Sequence, residues 1–120
     1  MSLADLLVEL EAAKDPRKAG PMEAYVRQQF SFLGIAALER NALYRKYFPS
    51  EKKTKIIDWD FVDTCWKKEP REYQYVAANY LKAMQSYLKD SDLPKLEQLV
   101  VTKSWWDTVD ILDRVVGSLV

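Results

Sequence analysis

Along this chain apolar residues recur at steps of three and four almost throughout, no stretch alternates apolar with polar, and no Asn-Gly or Asp-Gly pair marks a hairpin. The pattern predicts an all-α protein. Leu3, Leu6, Leu7 and Leu10 form the stripe of a first helix over 3–14, ended by "KDPRKAGP". A second helix is expected from Pro21 to Phe30, with Pro21 in the first turn, where its missing N–H costs nothing. "FSFLGI" reads as a compact apolar connection around Gly34, followed by a third helix over 36–48 that stops at Pro49. Beyond the polar segment "SEKKTK" the pattern grows more regular. Helices are predicted over 58–68, from Pro70 to Tyr87, over 93–102 with Pro94 opening it, and from Trp105 toward the C-terminus. Two successive helix pairs, each a short helix joined by a few residues to its partner, predict antiparallel hairpins stacked side by side as an α-solenoid, whose inner surface is concave.

At 120 residues the chain is one domain with one core, and 48% apolar against 30% charged residues is a globular composition. The first fifteen residues carry acids within the apolar pattern and lack a basic flank, so they do not read as a signal peptide. No apolar run reaches the roughly 18 residues of a membrane span. A single cysteine, Cys65, allows no internal disulfide and points to a cytoplasmic protein; among apolar neighbours it reads as a buried, inert thiol.

The chain has no histidine, which excludes Ser-His-Asp and Cys-His catalysis and the usual zinc sets. The three glycines, Gly20, Gly34 and Gly117, make no phosphate-binding loop. Neither a cofactor nor a metal is called for, and any chemistry must come from carboxylates, aromatics and basic groups. Net charge is zero, but residues 1–55 hold ten basic against seven acidic residues, so an N-terminal basic surface remains available to phosphates.

The segment "KSWWDTVD" concentrates the unusual features. Ser104 and Asp107 have capping-box spacing for the last helix. On the helical wheel Trp105, Val109, Leu112, Val116 and Leu119 share an arc, with Val115 and Val120 beside it, and this arc is the expected core face. Trp106 lies off that arc, on an acidic stripe with Asp110 one turn on and Asp113 beyond. A large aromatic there needs either a packing partner from elsewhere or a ligand. Facing a groove, an indole and a neighbouring carboxylate suit a substrate that is cationic or becomes so in the transition state.

"VTKSWWDTVD" (101–110), "REYQYVAANYLK", "GPMEAYVRQQFSFLGI" and "LPKLEQLV" together resemble the bacterial DNA alkylation repair enzymes of the AlkD type, which are HEAT-like-repeat DNA glycosylases. The resemblance spans essentially the whole chain and implies excision of positively charged N3- or N7-alkylated purines from duplex DNA, without extrusion of the lesion into a pocket. It implies that Trp106 contacts the lesion deoxyribose and that Asp110 stabilises the oxocarbenium-like sugar and positions water. Tyr25 in "PMEAY" matches a groove tyrosine that helps hold the DNA, and Lys103 is a candidate phosphate contact. Ala37-Leu38 stand where the family commonly has Thr-Pro, removing a helix-start signal. Family members run to about twice this length, so the chain is expected to be a single, incomplete HEAT-like domain over 1–120, with weak DNA binding and little turnover. The alternatives are a non-catalytic helical-repeat module that binds DNA or protein through the concave face, and self-association through the unfinished solenoid end.

Overall fold

A computed structural model describes residues 2–118, in which seven α-helices and two single 3-10 turns are the regular elements and no strand occurs. The helices are α1 (Leu3–Ala12), α2 (Pro16–Tyr25), α3 (Ala37–Thr54), α4 (Trp59–Lys67), α5 (Arg71–Ala83), α6 (Leu93–Val101) and α7 (Trp106–Gly117). The all-α expectation is met, and most helix starts follow local chemistry. Ser2 caps α1 in a capping box with Asp5, and Asp58 accepts from the Phe61 N–H at the start of α4. Pro94 occupies the first turn of α6.

Two expected boundaries were displaced by prolines inside helices. α2 starts earlier, at Pro16, behind Asp15, whose carboxylate accepts from the Arg17 N–H; Pro21 is therefore interior. α3 does not stop at Pro49 but runs to Thr54, closing on Lys55 in the left-handed region. A proline in a helix interior removes the N–H due to the carbonyl four residues back. At Pro49 that carbonyl belongs to Arg45, and both residues are exposed, so water can satisfy it. The expected helix from Pro70 to Tyr87 ends at Ala83 and finishes as a 3-10 turn over Gln85–Tyr87.

The helices form two layers. α3 and α7 both pack on α5, while α1 packs on α3, α4 on α5 and α6 on α7. Only three residues separate α4 from α5 and four separate α6 from α7, so each pair folds back as a hairpin. α5 lies at the centre and is buried nearly all round, with nine of its thirteen residues inside; Tyr75, Asn79, Lys82 and Ala83 mark its only open side. Tyr80 anchors this core with edge contacts to Phe48 and Phe61, and its hydroxyl accepts from the Asp58 N–H at 2.8 Å. Cys65 is fully buried beside them, and desolvation pushes its thiol up to about 12, as an inert cysteine requires. No helix among the described residues is long and apolar enough to cross a membrane.

Candidate functional site

α7 begins differently from the sequence expectation. Its N-cap is Trp105, in extended conformation, with no side-chain cap, so the Ser104–Asp107 capping box does not form. The Asp107 carboxylate is taken by a stronger partner: its Oδ1 accepts from Arg71 Nη2 at 2.6 Å and its Oδ2 from Arg71 Nε at 3.3 Å. The Tyr75 hydroxyl donates to Oδ2 as well, and the Thr108 N–H to Oδ1. A bidentate guanidinium is a better partner for a carboxylate than one backbone amide.

This pairing holds the Asp107–Thr108 side of α7 toward α5. The residues it buries are Thr108, Leu112 and Val115, with Thr108 Oγ1 accepting from Arg71 Nη2 at 2.9 Å. Of the expected core face, Leu112 and Val115 are buried, Trp105, Val109 and Val116 are only half-buried, and Leu119 and Val120 lie outside the described residues. Trp105 thus leaves the core and joins the wall of a cleft.

That cleft, of about 410 Å³, lies between the end of α2 and the start of α7 and is lined by Tyr25, Arg27, Trp105, Trp106, Asp107 and Asp110. Trp106 is 75% exposed and Tyr25 85% exposed, so neither ring has a packing partner that hides it. Tyr25 is the last residue of α2, and beyond it Arg27 and Gln28 both take left-handed conformations, with φ of 55° and 62°. Glu23 holds this turn from below: its carbonyl accepts from the Gln28 N–H at 2.8 Å and its Oε2 from the Phe32 N–H at 3.0 Å.

The two cleft carboxylates are not equivalent. Asp107 has two oxygens facing four donors and has no acceptor capacity left for a ligand. Asp110 is exposed, one turn after Trp106 on the same helix face, and its carboxylate makes no hydrogen bond or ion pair among the described residues. It is the carboxylate open to a substrate. Tyr75, between Asp107 and the interior, has its phenol pushed well up by burial and by the hydrogen bond to Asp107, so it stays a proton donor.

The structure therefore brings Tyr25, Trp106 and Asp110 together and leaves Lys103 apart. Lys103 is left-handed with φ 53°, and its Nζ donates to the Lys68 carbonyl at 2.8 Å, facing a neighbouring cleft beside Gln29, Ser31 and Glu69. Burial holds its ammonium below the usual lysine range. No group of three or more His, Cys, Asp or Glu side chains able to hold a metal occurs among the described residues.

Arg27, Arg71 and Glu72 went unnoticed in the sequence. Both charged residues of "EPRE" that enter α5, Arg71 and Glu72, are fully buried. The available signal was the helix that follows: "YQYVAANYLKAM" lacks a broad polar face, which marks a central helix whose first-turn charges have to be paired.

A family model described as DNA alkylation repair enzyme matches residues 6–120. No curated protein matches the chain. A solved structure described as "Predicted DNA alkylation repair enzyme from Enterococcus faecalis" is similar at 30% identity and a TM-score of 0.79, over 88% of this chain and 50% of that one. The chain thus spans about half the length of that protein.

Proposed function

The chain belongs to the DNA alkylation repair enzyme family, and from that premise we propose that its cleft hydrolyses the N-glycosidic bond of positively charged N3- or N7-alkylated purines in duplex DNA. The observation that carries the reading is the pairing of an exposed indole with an unengaged carboxylate one helical turn away in an open cleft.

An alkylated purine already carries a positive charge, so the C1′–N bond can break with the electron pair leaving on a neutral base. Positive charge then moves to C1′ and the ring oxygen of the sugar. The Trp106 face, electron-rich, sits against this sugar, and Asp110 supplies the formal counter-charge. A full charge pair at about 4 Å in an effective dielectric of about 20 is worth about 4 kcal/mol, or roughly a thousandfold in rate. Water bridged to Asp110 adds to C1′, its proton passing to the carboxylate and on to solvent. Tyr25 and Arg27 on the opposite wall face the strand that carries the lesion, Arg27 with a charge suited to phosphate. An open cleft suits a lesion that stays near the stack.

The test compares affinity for a duplex carrying a cationic pyrrolidine sugar with the same duplex carrying a neutral tetrahydrofuran. A site built for the charged sugar prefers the pyrrolidine by about tenfold or more, since transition-state mimics bind selectively. Asp110→Asn abolishes that preference, and base release from N7-methylguanine duplex falls with it. Equal affinity for both sugars, unchanged by Asp110→Asn, would leave a DNA-binding module without this chemistry.

A further inference from the structure

Two adjacent residues, Arg71 and Glu72, reach from the first turn of α5 to the α7 wall of the cleft and to the connection that follows its other wall. Arg71 holds the α7 wall: its guanidinium donates to both oxygens of Asp107, to Thr108 Oγ1 and, through Nη1 at 2.6 Å, to the Lys103 carbonyl. The group is fully buried and lies over the Phe30 ring at 3.8 Å, which fixes its plane. Glu72 holds the other side: its carboxylate accepts from three consecutive backbone N–H groups, Leu33 at 2.8 Å, Gly34 at 2.9 Å and Ile35 at 3.0 Å. The Arg71 N–H adds a fourth tie, to the Ser31 carbonyl at 2.7 Å. This connection follows directly on the turn that presents Tyr25 and Arg27, and Glu23 links the two through the Phe32 N–H.

We infer that Arg71 and Glu72 are positioning residues that set the separation of Tyr25 and Arg27 from Trp106 and Asp110. α7 has no side-chain cap of its own, so its first turn takes its placement from Arg71. The connection 31–35 has no helix or strand to fix it, so its N–H groups take theirs from Glu72. Both ties start from neighbouring residues of one buried helix, so the two walls share a common reference. The catalytic consequence rests on the reading given above; the geometric claim does not.

Conservative variants break the ties without removing bulk. Lysine at 71 keeps the charge but cannot span Asp107, Thr108 and Lys103 at once. Glutamine at 72 turns an NH2 donor toward backbone N–H groups that need acceptors. Spin labels placed by Ala24→Cys and Arg114→Cys, both exposed, report the separation of α2 from α7, while buried Cys65 stays unlabelled. Double electron–electron resonance should give one narrow distance in the parent chain and a broadened distribution in Arg71→Lys and Glu72→Gln. Single-turnover base release by folded protein should fall about tenfold, with affinity for undamaged duplex held within about threefold, because only the arrangement at the sugar is lost. A residue that merely supported the fold would lower Tm and leave the distance narrow in the molecules that stay folded.

A distribution as narrow as the parent's in folded variants overturns the inference, whatever base release does. Broadening in a chain whose parent releases no base leaves the two walls tied as described and sinks the glycosylase reading alone. Should both variants unfold, Asp107→Asn keeps the side chain's size but replaces the carboxylate that both Arg71 Nε and Nη2 grip, cutting the same tie from the α7 side. An unbroadened distance there overturns the inference equally.

Discussion

Replacing Arg71 by methionine isolates the buried ion pair at the head of α5. Methionine keeps much of the volume and can still lie against Phe30, so packing changes little. What is lost is the partner of Asp107, a carboxylate only 21% exposed. Breaking a buried pair by deleting one member costs about 3–5 kcal/mol, because a desolvated charge remains. Asp107 keeps the Tyr75 hydroxyl and the Thr108 N–H, which places the expected loss near the lower end, about 3 kcal/mol. For a domain of this size that lowers Tm by roughly 10–15 °C.

Urea melts followed by far-ultraviolet circular dichroism give the loss directly. The diagnostic step is the double variant Arg71→Met with Asp107→Leu, which removes the stranded charge. It should recover at least about 1 kcal/mol relative to Arg71→Met alone, since apolar replacement of a whole buried pair is often neutral. A loss under about 1 kcal/mol in the single variant, or strict additivity in the double, would refute the account of Arg71 as a paired buried charge.

Gly34→Ala tests the connection that Glu72 grips: Gly34 has φ +95°, and an added Cβ would lie 1.9 Å from the Asp15 carbonyl oxygen, so roughly 2–5 kcal/mol of stability should vanish in the same urea melts. Trp106→Ala and Asp110→Asn should each leave stability within about 0.5 kcal/mol, both being exposed and unpartnered, and a larger loss of Tm would mean that these residues support the fold. Cys65 should resist disulfide reagents in the folded chain and react at once in urea. Its thiol, raised from 9.0 to about 12, contributes stability that is intact below the unfolded value and is lost as pH rises through the window between the two, about 1.4 kcal/mol per pH unit. Tyr73 and Tyr75 are raised too and add to the same alkaline loss, so melts taken above pH 9 should show falling Tm; a flat profile would contradict these burials.

The fold was legible where local chemistry and periodicity agree. α4 and α6 fall close to their predicted spans because Asp58 and Pro94 mark their starts and their apolar stripes have a single answer. Pro21 misled as a helix start and Pro49 as a helix stop, because at both exposed interior positions solvent can take the carbonyl that the proline orphans. The wheel located Trp106 and Asp110 on one face and Leu112 and Val115 in the core, but it centred the inward face of α7 too far toward Trp105 and Val109. Asp107 and Thr108 are polar by composition and become interior because Arg71 is already there to bond them. Pairings across more than thirty residues of sequence leave no periodic trace.

The same pairings explain why strain collects around the cleft. Four non-glycine residues among those described have left-handed φ: Arg27 and Gln28 stand in the turn that bounds the cleft, Lys103 in the connection leading into α7, and Lys55 merely closes α3. Each such conformation costs on the order of 1 kcal/mol and survives only where surrounding bonds over-determine it. At Gln28 and Lys103 those bonds are visible, to the Glu23 carbonyl and from Arg71 respectively. An apolar contact at the head of α5 would hold the layers together as well, but it would not select one backbone conformation, since apolar packing has no direction. A guanidinium fork and a carboxylate accepting three N–H bonds do select one. A buried charged pair of residues is therefore intelligible here as the means of keeping a strained, open cleft in a single shape while its indole remains uncovered.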